Sequence, residues 1–264
     1  MLIMEDYSTR LSTTAQAISS LKAVQEAVSL LKHAGLAQID ACSHLGTWLL
    51  DFSSQLPPSS ILHGVDISTS LFPQFHPPNI SFCQGSITKL PSQWTNRFDF
   101  VHQRLLTSGL SRTDWTSALE EIYRVLVPGG WVQLGEIGVW GAGSITGKHW
   151  NMTSALVDSR NGDLRIAENL PDLLASTGFV NVSVEARTIS MHGPSVGAQN
   201  ARRNASSTFY AMKTAILQGG GFGFVSSEKE FDDLMLALEK EWNEVESAGF
   251  DFKIIYGQKP EKVL

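Results

Sequence analysis

The apolar positions of the 264-residue chain fall into short runs that alternate with helical stripes. Apolar runs bounded by turn residues predict strands at 37–41, 61–65, 80–84, 98–102 and 130–136. Between them, the spacing predicts helices at about 46–55 and 113–127. Ser111 and Asp114 form a capping-box pattern at the start of the second of these, and Pro128-Gly129-Gly130 stops it and turns the chain into the next strand. Ahead of the first strand, Ile18, Leu21, Val24, Val28 and Leu31 recur at helical spacing and predict a helix over 12–34, closed by Gly35. Strands that alternate with helices predict a parallel, doubly wound, Rossmann-like α/β sheet.

The last third continues the alternation with longer helices. Ile166, Leu170, Leu173 and Leu174 predict a helix over about 164–177 that ends at Gly178, and Val180, Val182 and Val184 alternate as a strand does. Helices follow at about 199–218 and 227–247, separated by Gly219-Gly220-Gly221, the second capped by Ser227 with Glu230. Phe250–Tyr256 reads as a final strand. With no internal repeat and no linker, 1–264 reads as one domain. It comprises a helical segment (1–36), a nucleoside-binding core (37–140) and a region of helices and final strands (141–264).

Composition narrows the classes. Hydrophobic residues make up 42% and charged residues 17%, as in a globular protein. The net charge of −6 and the lack of any basic run argue against a nucleic-acid partner. No apolar stretch of about 18 residues predicts a transmembrane helix, and the N-terminus lacks the basic-then-apolar pattern of a leader. Cys42 and Cys83 are the two cysteines, read as reduced thiols, which fits the cytoplasm. The seven histidines show no partner spacing typical of a metal site.

The stretch 37–66 carries the strongest chemical signal. In a nucleoside-binding βαβ unit the turn after the first strand reads G-x-G-x-G, because glycine reaches the needed φ values and lets the ligand approach the backbone. Here the three slots hold Cys42, His44 and Gly46. Twenty positions after Gly46 stands Asp66, the acidic residue such folds use to bind ribose hydroxyls; the alternative is a strand-end aspartate that caps the next turn through Ser68 or Thr69. His102 sits at the carboxyl edge of the sheet, where ligands bind in open α/β folds. It reads either as a general base or as a buried histidine bonded to backbone. Arg104 serves an anionic substrate group or a neighbouring acid, and His44 either polarises a substrate or fills the loop. Glu136 faces the pocket or pairs with a residue of the helical region that follows. Trp140, His149 and Trp150 line an apolar substrate cavity or simply pack. Gly219–Gly223 reads as a hinge.

Four motifs carry a family resemblance: Gly64-Val65-Asp66-Ile67-Ser68, Phe98-Asp99-Phe100-Val101-His102-Gln103-Arg104-Leu105-Leu106, Arg124-Val125-Leu126-Val127-Pro128-Gly129-Gly130-Trp131 and Ile255-Tyr256-Gly257-Gln258-Lys259-Pro260. Over roughly residues 35–260 the chain resembles the fungal class I S-adenosylmethionine (SAM) methyltransferases of secondary metabolism, the group that includes the LaeA-like regulators. The resemblance implies a seven-stranded sheet whose last strand is antiparallel, with C-terminal helices as a substrate lid. It implies SAM as cofactor, no metal, and a cofactor-binding set of Cys42, His44, Gly46, Asp66, Ile67, Ser86 and Ile87. Ser86 stands where the family usually has an acidic residue for the adenine amino group. The implied activity is methyl transfer from SAM to a hydrophobic natural product, with His102, His44 and Arg104 as catalytic candidates and Glu136, Trp140, His149 and Trp150 as substrate contacts. The altered loop keeps two alternatives open: a cofactor-free cyclase, isomerase or pericyclase on the same fold, and a non-catalytic regulatory partner. The partners expected are a small hydrophobic substrate and, as an open alternative, a second copy of the chain.

Overall fold

The computed structural model describes residues 37–41, 46–70 and 72–261, with the backbone path alone for 37–41. The helix expected over 12–34, and Cys42 and His44, lie outside the described residues. The elements in chain order are β1 (Ala37–Ala41), α1 (Thr47–Ser53), β2 (Ile61–Asp66), β3 (Ile80–Gln84), β4 (Phe98–Arg104), α2 (Arg112–Val125) and β5 (Leu126–Gly141). They continue as α3 (Ser144–Ser159), α4 (Ile166–Thr177), β6 (Val180–Ser190), α5 (Val196–Gln218), α6 (Glu228–Glu244) and β7 (Gly249–Gln258). The described residues cluster into two compact units, one formed by 37–136, 168–185 and 253–261, the other by 137–167 and 186–252.

The first unit is built on a seven-stranded sheet of order β3-β2-β1-β4-β5-β7-β6. The pairs β1 with β2, β2 with β3, β1 with β4 and β4 with β5 are parallel. Gly129 and Gly130 of β5 exchange backbone hydrogen bonds with Lys259, at 2.9 and 2.8 Å, while Gln133, further along, meets Tyr256. Rising numbers on β5 oppose falling numbers on β7, so the last strand is antiparallel. Because β2 and β3 lie on one side of β1 and β4 and β5 on the other, the direction of winding reverses between β1 and β4, the place where ligands bind in such sheets.

Local sequence explains the elements that flank this point. The helix α1 buries Trp48, Leu49 and Phe52 against Leu62, Ile80 and Phe100, with the Trp48 and Phe52 rings 4.4 Å apart. Each such side chain contributes roughly 1.5–3 kcal/mol of burial. The capping box of α2 forms as expected: Asp114 N–H donates to Ser111 Oγ, and Ser111 N–H donates to Asp114 Oδ2. The end of α2 departs from expectation. It stops at Val125, and Pro128-Gly129-Gly130 lies inside β5 rather than between helix and strand. Lys259 Nζ accepts this early stop by donating to the carbonyls of Tyr123 and Leu126 at 2.8 and 2.7 Å. The extra residues bulge out: Phe98 pairs with Leu126, but Phe100 pairs with Trp131. Gly130 sits where a Cβ would lie 2.9 Å from the Val127 carbonyl and 3.1 Å from that of Asp99, so only glycine fits the bulge.

The second unit is mainly helical. Met152 and Leu156 of α3, Phe209 and Ile216 of α5, and Phe231, Leu238 and Trp242 of α6 share one core. Glu241 of α6 supplies the cap that α3 lacks in its own sequence, accepting from the N–H groups of Ile145 and Thr146 and from the Thr146 hydroxyl. Ser227 caps α6 by accepting from Glu230 N–H, and the glycine run 219–223 forms a short tight turn ahead of it. Among the described residues, no helix is long and apolar enough to cross a membrane.

Candidate functional site

The ends of β2 and β3 hold the acidic candidate in place. Asp66 is the last residue of β2 and only 6% exposed. Its Oδ1 accepts from Ser68 N–H at 2.9 Å, so the turn-capping role is real. It does not exclude a ligand role, since a carboxylate oxygen pair has about four acceptor positions. Gly85 N–H donates to the Asp66 carbonyl and Gln84 Nε2 to the Ile67 carbonyl, both at 2.9 Å, which ties the two loops together. Ile67, beside the carboxylate, is 72% exposed: an uncovered apolar side chain next to a shielded acid. Ser86 is engaged in its own turn, its hydroxyl 2.8 Å from that of Thr88, and Ile87 turns into the core instead of toward the loop surface.

Gly46 begins α1 in the left-handed region at φ 64. A Cβ there would stand 2.7 Å from Phe82 Cζ and 3.1 Å from Pro73 Cγ. The Phe82 ring is itself packed by Phe72 and His76, at 5.1 and 5.3 Å between centroids. The surviving glycine is therefore demanded by packing within the protein as well as by any ligand.

At the end of β4, alternation sends successive side chains to opposite faces. His102 is 4% exposed, and its ring lies flat on the Trp48 indole, 3.7 Å between centroids and 3° between planes. The strand register places it between Asp40 of β1 and Gln133 of β5. Gln133 is buried in turn and donates to the Tyr256 hydroxyl at 3.0 Å. Gln103, on the other face, is wholly buried, and neither atom of its amide has a hydrogen-bond partner among the described residues. Arg104, half-buried, closes the strand, and Leu105 follows at φ 57.

Glu136, one of the substrate-contact candidates, is engaged within the protein. It is sealed from solvent, and its two oxygens accept from Leu106 N–H, Thr107 N–H and the Thr107 hydroxyl at 2.8, 3.1 and 2.7 Å. It fastens the loop after β4. Burial pushes its carboxyl up to about 7, against the pull of the three donors.

In the helical unit, Trp140, His149 and Trp150 do come together, around one cavity that Thr146, Thr153, Leu164, Phe209 and Trp242 also line. Burial lowers the His149 pKa to about 4, so its ring is neutral. Sequence reading missed Thr153, Phe209, Trp242 and Gln103. The first had a usable signal: Thr146, His149, Trp150 and Thr153 follow the spacing of one helix face. Among the described residues, no group of three His, Cys, Asp or Glu side chains is placed to hold a metal ion.

Comparison with known proteins places this geometry. A methyltransferase-domain family matches residues 39–130. N-methyltransferase verN of Clonostachys rogersoniana is 30% identical over 67% of this chain and 65% of its own length. N-methyltransferase tcpN of Claviceps purpurea is 26% identical over 87% of this chain and 85% of its own. The chain thus spans just under two thirds of verN, and its match to N-methyltransferase sirN of Leptosphaeria maculans, 40% identical, covers 34% of that protein. Among solved structures, phosphoethanolamine N-methyltransferase 2 of Haemonchus contortus in complex with SAM superposes with TM-score 0.52 and 18% identity, over 90% of this chain and 53% of that one. The [4+2]-cyclase SpnF superposes with TM-score 0.55 and 16% identity, over 91% and 81%. At such identities the structural likeness shows the fold alone.

Proposed function

We propose, for a chain that belongs to the class I SAM-dependent methyltransferases of fungal secondary metabolism, that it transfers a methyl group from SAM to a nitrogen of a small hydrophobic compound. One observation carries the reading: Asp66, a shielded carboxylate at the carboxyl end of β2, stands beside the uncovered apolar side chain of Ile67 and next to the β1/β4 switch point. A ribose needs an acceptor for two hydroxyl protons and an adenine needs an apolar face, so the residues present fit the nucleoside. Asp66 would accept from the ribose hydroxyls, Ile67 would cover the base, and the backbone at Gly46 would face the rest of the cofactor. When bound, SAM supplies an electrophilic methyl group.

The chain's own part is positioning. Glu136 fixes the backbone of Leu106 and Thr107 at the end of β4. His102 stacks on the Trp48 ring, so each holds the other in place at the end of β4. Arg104 offers a cation at the carboxyl edge. The acceptor atom is proposed from the printed names of verN and tcpN, both N-methyltransferases. The cofactor-free cyclase alternative comes from the altered loop at Cys42 and His44, and the likeness of fold to SpnF, at 16% identity, adds no chemistry to it.

The test is transfer of an isotope-labelled methyl group from SAM into small molecules of a fungal extract. Labelled N-methyl product is expected with the wild type and not with Asp66→Asn. Absence of any labelled product from a protein that binds the cofactor overturns the reading.

A further inference from the structure

The cavity on α3 is chemically uneven. Its walls are aromatic, from Trp140, Trp150, Phe209 and Trp242, and its volume is about 20 Å³, room for one water-sized group. Thr146, His149, Thr153, Phe209 and Trp242 are buried and form its floor, while Trp140, Trp150 and Leu164 are only partly covered and form its rim. Three polar side chains reach the floor. The Thr146 hydroxyl is fully used, donating to Glu241 at 2.7 Å and accepting from Trp242 Nε1 at 3.1 Å. The other two are not used: His149 Nε2 and Thr153 Oγ1 are enclosed and have no hydrogen-bond partner among the described residues. Both side chains are 3% exposed.

Buried polar atoms in folded proteins almost always find a partner, so two orphans in one cavity call for an occupant. The lining dictates its chemistry. No lining side chain is charged, and burial keeps the His149 ring neutral, which disfavours an ion. Flat aromatic walls favour a ring at the rim. At the floor, a hydroxyl serves best, because it can both donate and accept and so satisfies either tautomer of His149 together with the Thr153 hydroxyl.

We propose that this slot binds a neutral hydroxyarene, the hydroxyl seated between His149 Nε2 and Thr153 Oγ1 and the ring held at the rim by Trp140 and Trp150. The proposal goes beyond the methyltransferase reading, and the binding stands or falls alone.

The full chain is titrated with phenol, toluene and benzoate at pH 7, read by tryptophan emission, and the same samples are titrated with S-adenosylhomocysteine. Phenol is expected to bind about fivefold more tightly than toluene, the effect of one or two neutral hydrogen bonds, and benzoate not to bind. Thr153→Val, which keeps the shape and removes the orphan hydroxyl, is expected to raise the melting temperature of the free protein and to abolish the preference for phenol. Thr153→Ser, which retains a hydroxyl, is expected to keep that preference, and serves if the valine variant fails to fold. Equal affinity for phenol and toluene overturns the proposal. So does a Thr153→Val variant that melts lower yet keeps its preference, the mark of an internal water. Binding of S-adenosylhomocysteine without phenol leaves the methyltransferase reading and removes the slot. Binding of phenol without S-adenosylhomocysteine does the reverse.

Discussion

Replacing Glu136 by Gln removes a charge that the fold encloses completely, and the consequence is a change in how stability depends on pH. Burial raises the carboxyl from its ordinary 4.5 to about 7 in the folded protein. Between those values the folded state binds a proton that the unfolded state has released. Stability from this group is therefore fully present below about pH 4.5 and is lost as pH rises through about 7. At about 1.4 kcal/mol per pH unit the loss is about 3 kcal/mol. Urea melts of the wild type and Glu136→Gln at intervals from pH 4.5 to 8 isolate the effect. At low pH the protonated carboxyl and the amide are both neutral and both turn one donor-bearing end toward the N–H groups of Leu106 and Thr107, so no pH-dependent term comes from the variant itself. The decisive quantity is the stability of the wild type minus that of the variant, which should fall by about 3 kcal/mol as pH rises and level off above pH 7. A difference that stays flat, or widens with pH, would refute the reasoning: it would mean that the donors of Leu106 and Thr107 outweigh burial and keep the carboxylate ionised.

Three further substitutions test the site's construction. Gly46→Ala meets both a positive φ and the Phe82 ring at 2.7 Å, and should cost about 1–3 kcal/mol in urea melts, part of it recovered by adding Phe82→Leu. Gln103→Met removes two unpartnered buried polar atoms and should stabilise by about 1–2 kcal/mol; a clear loss would reveal a hydrogen bond made by the native amide. Trp48→Ala strips the ring that covers His102 and should cost about 3–5 kcal/mol in urea melts; a loss under about 1 kcal/mol would mean that the stacked pair contributes little.

The sheet was legible because period-2 runs and sharp turns are local signals. Strands β1 and β3 have the bounds read from the sequence, and the Ser111–Asp114 and Ser227–Glu230 caps form as read. What was not legible depends on partners far along the chain. The end of α2 is set by Lys259, more than a hundred residues away, so Pro128-Gly129-Gly130 read as a helix stop and folded as a strand bulge. The same holds for the site. Asp66 and Gly46 stand where the motif puts them, but nothing local announces that Phe82 fills the space beside Gly46 or that Trp48 covers His102. Glu136 read from the sequence either as a pocket residue or as a paired one; its use in holding Leu106 and Thr107 follows from a sheet register that no single strand encodes. The aromatic cavity was half-visible: Trp140, His149 and Trp150 stood out by type, whereas Phe209 and Trp242 arrive from helices far along the chain.

Isothermal titration of the protein with S-adenosylhomocysteine, beside Asp66→Asn, tests the central claim most directly. The account predicts a dissociation constant on the order of 1–10 μM, about −7 to −8 kcal/mol, weakened roughly tenfold or more in the variant by loss of hydrogen bonds to a charged acceptor. No binding up to about 1 mM, or equal binding by the two proteins, would contradict it.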